Sequence, residues 1–276
     1  MKEKHLGFSL IELLVSMTVV SVLAAITVVG VGHVRTAVHR TAEVTGARQL
    51  ISAYLIYPQD NGGRLMPAVP DSREIALNPV RDHAGNAILN GAVASRYPFR
   101  ILPYLGDVRS LYSGQFAEHL DDLRSSGDPQ YGISLYPSLG LNSEYMGGNY
   151  DDRRTHPETG FYPGLAVTRL EQVMDPSKQI VFVSSTYGKE PGSSADYVGF
   201  HRVEAPKGLR TSWSSYNEEL PAQMGYIHLR YERQALVAHL DGSVGFMDEE
   251  SLGDMRRWSN QARLENDENF RPSRSR

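Results

Sequence analysis

The stretch Gly7-Phe8-Ser9-Leu10-Ile11-Glu12-Leu13-Leu14-Val15, with the apolar run that continues to Ala25, decides how this chain is read. An acid stands inside a segment otherwise suited to hydrocarbon. A charged side chain at the centre of a bilayer helix costs about 3 kcal/mol on insertion scales, and one that persists there is usually paired or functional. From Leu13 to Gly32 no residue is charged, which is the length of helix that crosses a hydrocarbon core. Lys2 and Lys4 precede the run, which directs the amino terminus to the cytoplasm and the chain after Arg35 to the far side. A cleaved secretory signal is disfavoured, because apolar residues continue past Ala25.

The run does not stop cleanly. Val34, Ala37, Val38, Val44, Ala47, Leu50, Ile51, Tyr54 and Leu55 keep a three-and-four spacing, with Arg35, His39, Arg40, Glu43 and Arg48 mostly between them. That pattern predicts an amphipathic helix joined directly to the membrane segment. Pro58 and the turn cluster Asp60-Asn61-Gly62-Gly63 set its expected end. One helix over 8–57 would be about 75 Å long.

The chain has 276 residues, no cysteine and a formal net charge of -4. Disulfides and thiolate metal sites are excluded. A charge so near neutral argues against a nucleic-acid binder, which carries a basic stripe.

The leader with Gly7, the following Phe8, Glu12 and the unbroken apolar run together resemble the processing signal of type IV pilins and type II secretion pseudopilins. The resemblance implies cleavage between Gly7 and Phe8 by a prepilin peptidase and N-methylation of Phe8. It places Glu12 at the fifth position of the mature chain. It implies an α+β lollipop: a 1–7 leader, an 8–57 stem helix with about 8–32 in the membrane or filament core, and a 58–262 head. The expected partners are copies of the chain, other pilins, the peptidase, and an inner-membrane assembly platform with its ATPase. The expected location is a single-pass bacterial inner-membrane protein with a periplasmic head, extracted into a filament. Glu12 then has a physical role. A buried charge is tolerated when paired, so its carboxylate would meet the positive amino terminus of a neighbouring subunit only in the correct register.

In the head, 58–175 reads as a loop-rich insertion with short helices such as 108–124. Strands are expected at 179–185 and in an antiparallel meander over 226–247, with Glu232-Arg233 and Asp241-Gly242 as its turns. One face of this sheet should pack on the stem, burying Val44, Ile51 and Leu55. Asp248 is expected to cap a final helix to about Asn260, anchored by Met255 and Trp258. The polar stretch 263–276 reads as disordered.

No P-loop, HExxH or GxSxG motif is present, so a non-enzymatic subunit is expected. The rival reading is a membrane-tethered binding protein or hydrolase on a pilin-like anchor. His239, Asp241, His228 and His201 form a conceivable metal set, although strand histidines more often satisfy local hydrogen bonds. Pseudopilins commonly bind calcium in a head loop, which makes Asp60, Asn61, Asp151, Asp152 and Asp241 the candidates. Their spacing singles out no ligand set, and no cofactor is assigned.

Overall fold

The computed structural model describes residues 10–274 except 83, 190–196 and 210–211, with backbone alone at 26–33. The leader and the Gly7–Phe8 junction lie outside the described residues. The chain folds as an α+β protein: one long helix followed by a mixed five-stranded sheet with short helices around it.

Helix α1 spans Leu10–Asp60. It passes through Pro58, where the sequence pointed to a stop. Proline removes one backbone donor, and so near the end of a helix little else is lost. The Pro58 carbonyl accepts from Gly63 N at 2.7 Å, and Asn61 Nδ2 donates to the Tyr57 carbonyl at 2.8 Å. Leu10 to Leu23 are exposed, whereas Ala47, Leu50, Ile51, Ala53 and Tyr54 are buried. Ile51 is fully covered, as its position in the pattern predicts, but Val44 and Leu55 are only partly so.

Five short helices follow the stem: α2 (Ser72–Leu77), α3 (Gly91–Ser95), α4 (Tyr97–Leu105), α5 (Ala117–Arg124) and α6 (Pro129–Leu135). Helix α4 and the 3-10 turns Val108–Leu111 and Gly114–Phe116 pack on α1. Gly46 in α1 allows this. A Cβ there would come within 2.7 Å of Ser113 Oγ and 3.0 Å of the Ser110 carbonyl.

The strands are β1 (Leu139–Asn142), β2 (Ile180–Ser184), β3 (Arg202–Val203), β4 (Gln234–His239) and β5 (Val244–Asp248), in spatial order β3-β1-β2-β4-β5. The expected hairpin around Asp241-Gly242 is β4–β5, with Gln234 opposite Asp248 and Ala238 opposite Val244. The sheet is not wholly antiparallel, because β3 joins β1 in parallel. Strand β1 also comes from within 58–175, so that stretch is not a mere insertion. Gly140 at its centre lets β3 approach, since a Cβ would lie 2.6 Å from the Arg202 carbonyl carbon.

The expected strand 226–231 does not form. The tight turn at Glu232-Arg233 does: both residues have positive φ, 51° and 62°, and Tyr231 and Gln234 exchange backbone hydrogen bonds. Both edges of β2 are already taken by β1 and β4 along its length. Segment 226–231 therefore reaches only the end of β2, through His228 N to the Ser184 carbonyl at 2.9 Å and a single bridge from Ile227 to Ser185.

Both faces of the sheet are covered. Phe182, Leu236, Ala238 and Leu240 join the core beneath α1. Ile180, Val183, Ala235 and Val237 pack under Leu252, Met255, Trp258, Ala262 and Phe270. A register shift between Ile180 and Phe182 places consecutive Val181 and Phe182 in the same core. The final helix is broken into α7 (Glu249–Leu252), a 3-10 turn at Met255–Arg257 and α8 (Asn260–Leu264). Asp248 caps α7 as expected, accepting from Ser251 N at 2.9 Å. The expected disorder from 263 onward is not seen in the described part: Phe270 is buried, and Met255 N donates to the Glu268 carbonyl at 3.0 Å. One apolar residue in a polar stretch ties it down.

Candidate functional site

The first half of α1 presents apolar side chains around its whole circumference. Leu10, Ile11, Leu14, Met17 and Val20 are each more than 60% exposed, and Glu12 is the one charged residue between Leu10 and Ala25. The interspersed hydroxyls are spent within the helix. Ser16 donates to the Leu13 carbonyl, Thr18 to Val15 and Ser21 to Met17, at 2.8–2.9 Å. Hydroxyls satisfied in this way do not oppose burial of the surface. A helix apolar on all sides has its energetic minimum when covered, by lipid or by like helices. Among the described residues no helix is long and apolar enough to cross a membrane. The uncharged run Leu13 to Gly32 extends into 26–33, whose side chains are not described.

The second half of α1 is fixed to the head by a buried ionic cluster. Glu43 is 0% exposed. Its carboxylate accepts from Arg230 Nε at 3.0 Å, from Arg230 Nη2 and from the Tyr231 hydroxyl. The guanidinium also donates to the carbonyls of Ser138 at 2.8 Å and Ser185 at 3.3 Å, and lies over the Phe116 ring at 4.8 Å. Stem, β1 approach, β2 end and segment 226–231 thus meet at one cation. Burial pulls the Arg230 guanidinium down, but the Glu43 carboxylate more than offsets this and leaves it raised. Burial, then the Glu43 charge, pushes the Tyr231 hydroxyl up.

His228 Nδ1 lies 3.3 Å from Arg230 Nη1. Burial first, then the Arg230 charge, lowers its imidazole to about 3, so it is neutral and accepts that bond. Burial and the nearby Arg96, Arg202 and Arg100 also lower His201. His239 Nδ1 is 3.2 Å from the Ser243 hydroxyl. These histidines are occupied by separate neighbours rather than drawn together.

The calcium candidates divide similarly. Asp60 is exposed at the end of α1, and Asn61 bonds to Tyr57. Asp151 is exposed, and Asp152 is held by Arg154 at 3.0 Å. Asp241 accepts from Ser243 N at 2.9 Å within its own turn. Among the described residues no group of three or more His, Asp or Glu side chains is placed to hold a metal ion.

The sequence reading missed Glu43 and Arg230 as a pair. A signal was present. Glu43 stands in register with the buried stripe Ala47, Leu50, Ile51 and Tyr54, and an acid on a buried stripe requires a cation across from it.

The chain's first segment matches the prokaryotic N-terminal methylation motif over residues 4–28. The chain carries the type IV prepilin motif. No curated protein and no solved structure matches it. The motif ends within α1, well before Glu43. An α+β fold, with an N-terminal helix ahead of a mixed sheet, accompanies the motif.

Proposed function

We propose that this protein is a structural subunit of a type II secretion pseudopilus or a type IV pilus-like filament. The observation that carries this reading is the division of one helix. Its motif-bearing half is apolar and exposed all round, and its other half is clamped into a head through Glu43 and Arg230. A helix built this way presents one end for burial outside its own subunit. The reading takes cleavage between Gly7 and Phe8, N-methylation of Phe8, and docking in which Glu12 meets the amino terminus of a neighbour. The chain is inserted in the inner membrane with its head periplasmic until the assembly platform extracts it. It acts by assembly and not by catalysis.

Mass spectrometry of the protein from its native host tests the reading. The expected mature chain begins at methylated Phe8, and sheared surface or periplasmic filaments contain it. A chain retaining Met1, or beginning near Ala25, overturns it. Gly7→Val should leave the precursor uncut, because a branched side chain crowds a site built for glycine.

A further inference from the structure

At the far end of the stem, about 70 Å along the helix from Glu12, a cleft of about 420 Å³ opens between α1, α2 and α4. That volume lies in the range of ligand sites. Its walls include Tyr57, Phe99, Pro103 and Tyr104, with Arg100 and Glu74 among the lining. Tyr57 and Tyr104 meet edge to face at 5.7 Å and form an aromatic corner. Leu77 on the same lining is 70% exposed, so apolar surface is left open to solvent there.

The charge of Arg100 is oriented but not neutralised within the chain. Its guanidinium donates to the carbonyls of Pro67 at 2.6 Å, Ala68 and Ser95 at 3.1 Å, and Arg96 at 3.3 Å. All four acceptors are uncharged. Among the described residues no carboxylate lies within ion-pairing distance of it. Burial lowers the guanidinium to about 10, opposed by the fields of Tyr57, Glu74 and Tyr54. Arg81 adds a second cation to the lining, against the single acid Glu74. Aromatic and proline walls suit an extended peptide, whose prolines lose little freedom on docking and whose rings stack there. An unneutralised cation beside them selects an acidic residue in that peptide.

We propose that this cleft binds an extended acidic segment of a partner protein, in which a proline or aromatic residue stands next to an aspartate or glutamate. The site is independent of the apolar half of α1, and so of the filament reading.

The test is isothermal titration of the full-length protein in detergent with two blocked peptides, Pro-Phe-Asp-Pro and Pro-Phe-Asn-Pro. The aspartate peptide is expected to bind saturably and about fivefold or more tighter than its asparagine twin, with the gap narrowing as salt rises. Arg100 braces four carbonyls, so its removal confuses binding with folding. Glu74→Gln is the informative variant. It removes the opposing charge and should tighten the aspartate peptide while leaving the asparagine peptide unchanged. Tyr104→Ala should weaken both. Equal binding of the two peptides, binding of neither, or a Glu74→Gln protein indistinguishable from wild type towards the aspartate peptide overturns the proposal.

Discussion

Glu43 of the stem and Arg230 of the head, 187 residues apart in sequence, are joined by a hydrogen bond of 3.0 Å with both side chains buried. Two charges taken out of water gain little over an apolar pair, but one left alone is costly. Glu43→Ala and Arg230→Ala should each therefore destabilise the head by about 3–5 kcal/mol. The double variant Glu43→Ala/Arg230→Ala should lose much less than the sum. Urea unfolding of the four proteins measures this. Additive losses mean that the two residues act separately.

The pair has a neighbour that makes stability depend on pH. His228 titrates at about 3 in the folded chain, against about 6.5 for an ordinary histidine. Below pH 6.5 the unfolded chain takes up a proton that the folded chain refuses. The contribution of His228 is thus complete above pH 6.5 and is lost as the pH falls toward 3. The slope is about 1.4 kcal/mol per pH unit while the two states differ by one proton. His228→Gln should flatten the stability profile between pH 6 and about 4 by roughly that slope. An unchanged slope shows that His228 is not the group responsible.

Close approach of the 110–114 turn to the stem depends on Gly46. Alanine is the better helix former by about 1 kcal/mol. Here its methyl would sit 2.7 Å from Ser113 Oγ and 2.9 Å from Ser113 Cβ. Overpacking of this kind costs about 1–3 kcal/mol. Gly46→Ala should therefore lower the melting temperature despite its propensity, and Ser113→Gly added to it should restore most of the loss. A Gly46→Ala protein more stable than wild type shows that the turn gives way freely.

The legible parts of this fold are those with local patterns. The three-and-four spacing from Val34 to Leu55 revealed the stem, and Asp241-Gly242 between apolar runs revealed β4–β5. What stayed hidden depends on distant partners. Strand β1 has four residues with a glycine among them, and only Ile180–Ser184 and Arg202–Val203 beside it make it a strand. Segment 226–231 has the alternation of a strand, but the edges of β2 were already occupied. The N-terminal methylation motif is legible because it lies in consecutive residues, 4–28, and needs no distant partner to be recognised. Arg100 is silent in sequence, since its role arises from carbonyls of loops 67–68 and 95–96.

Glu12 remains the test of assembly. It is the one acid in an apolar half-helix that is exposed in the isolated subunit. On the proposed reading it supplies the counter-charge for the amino terminus of a docked neighbour. Glu12→Gln keeps the shape and most of the hydrogen-bonding capacity but removes the charge. Membrane insertion should be as good or better, because the costly group is gone. Cleavage should persist, because on the same reading the cut is specified at Gly7–Phe8. Incorporation into filaments should fall sharply, because the positive terminus is then left without its partner where water is scarce. The comparison needs three measurements on each protein expressed in the host: processing, membrane fraction and sheared filament. If Glu12→Gln is processed and assembles like wild type, the acid does not act as a register device.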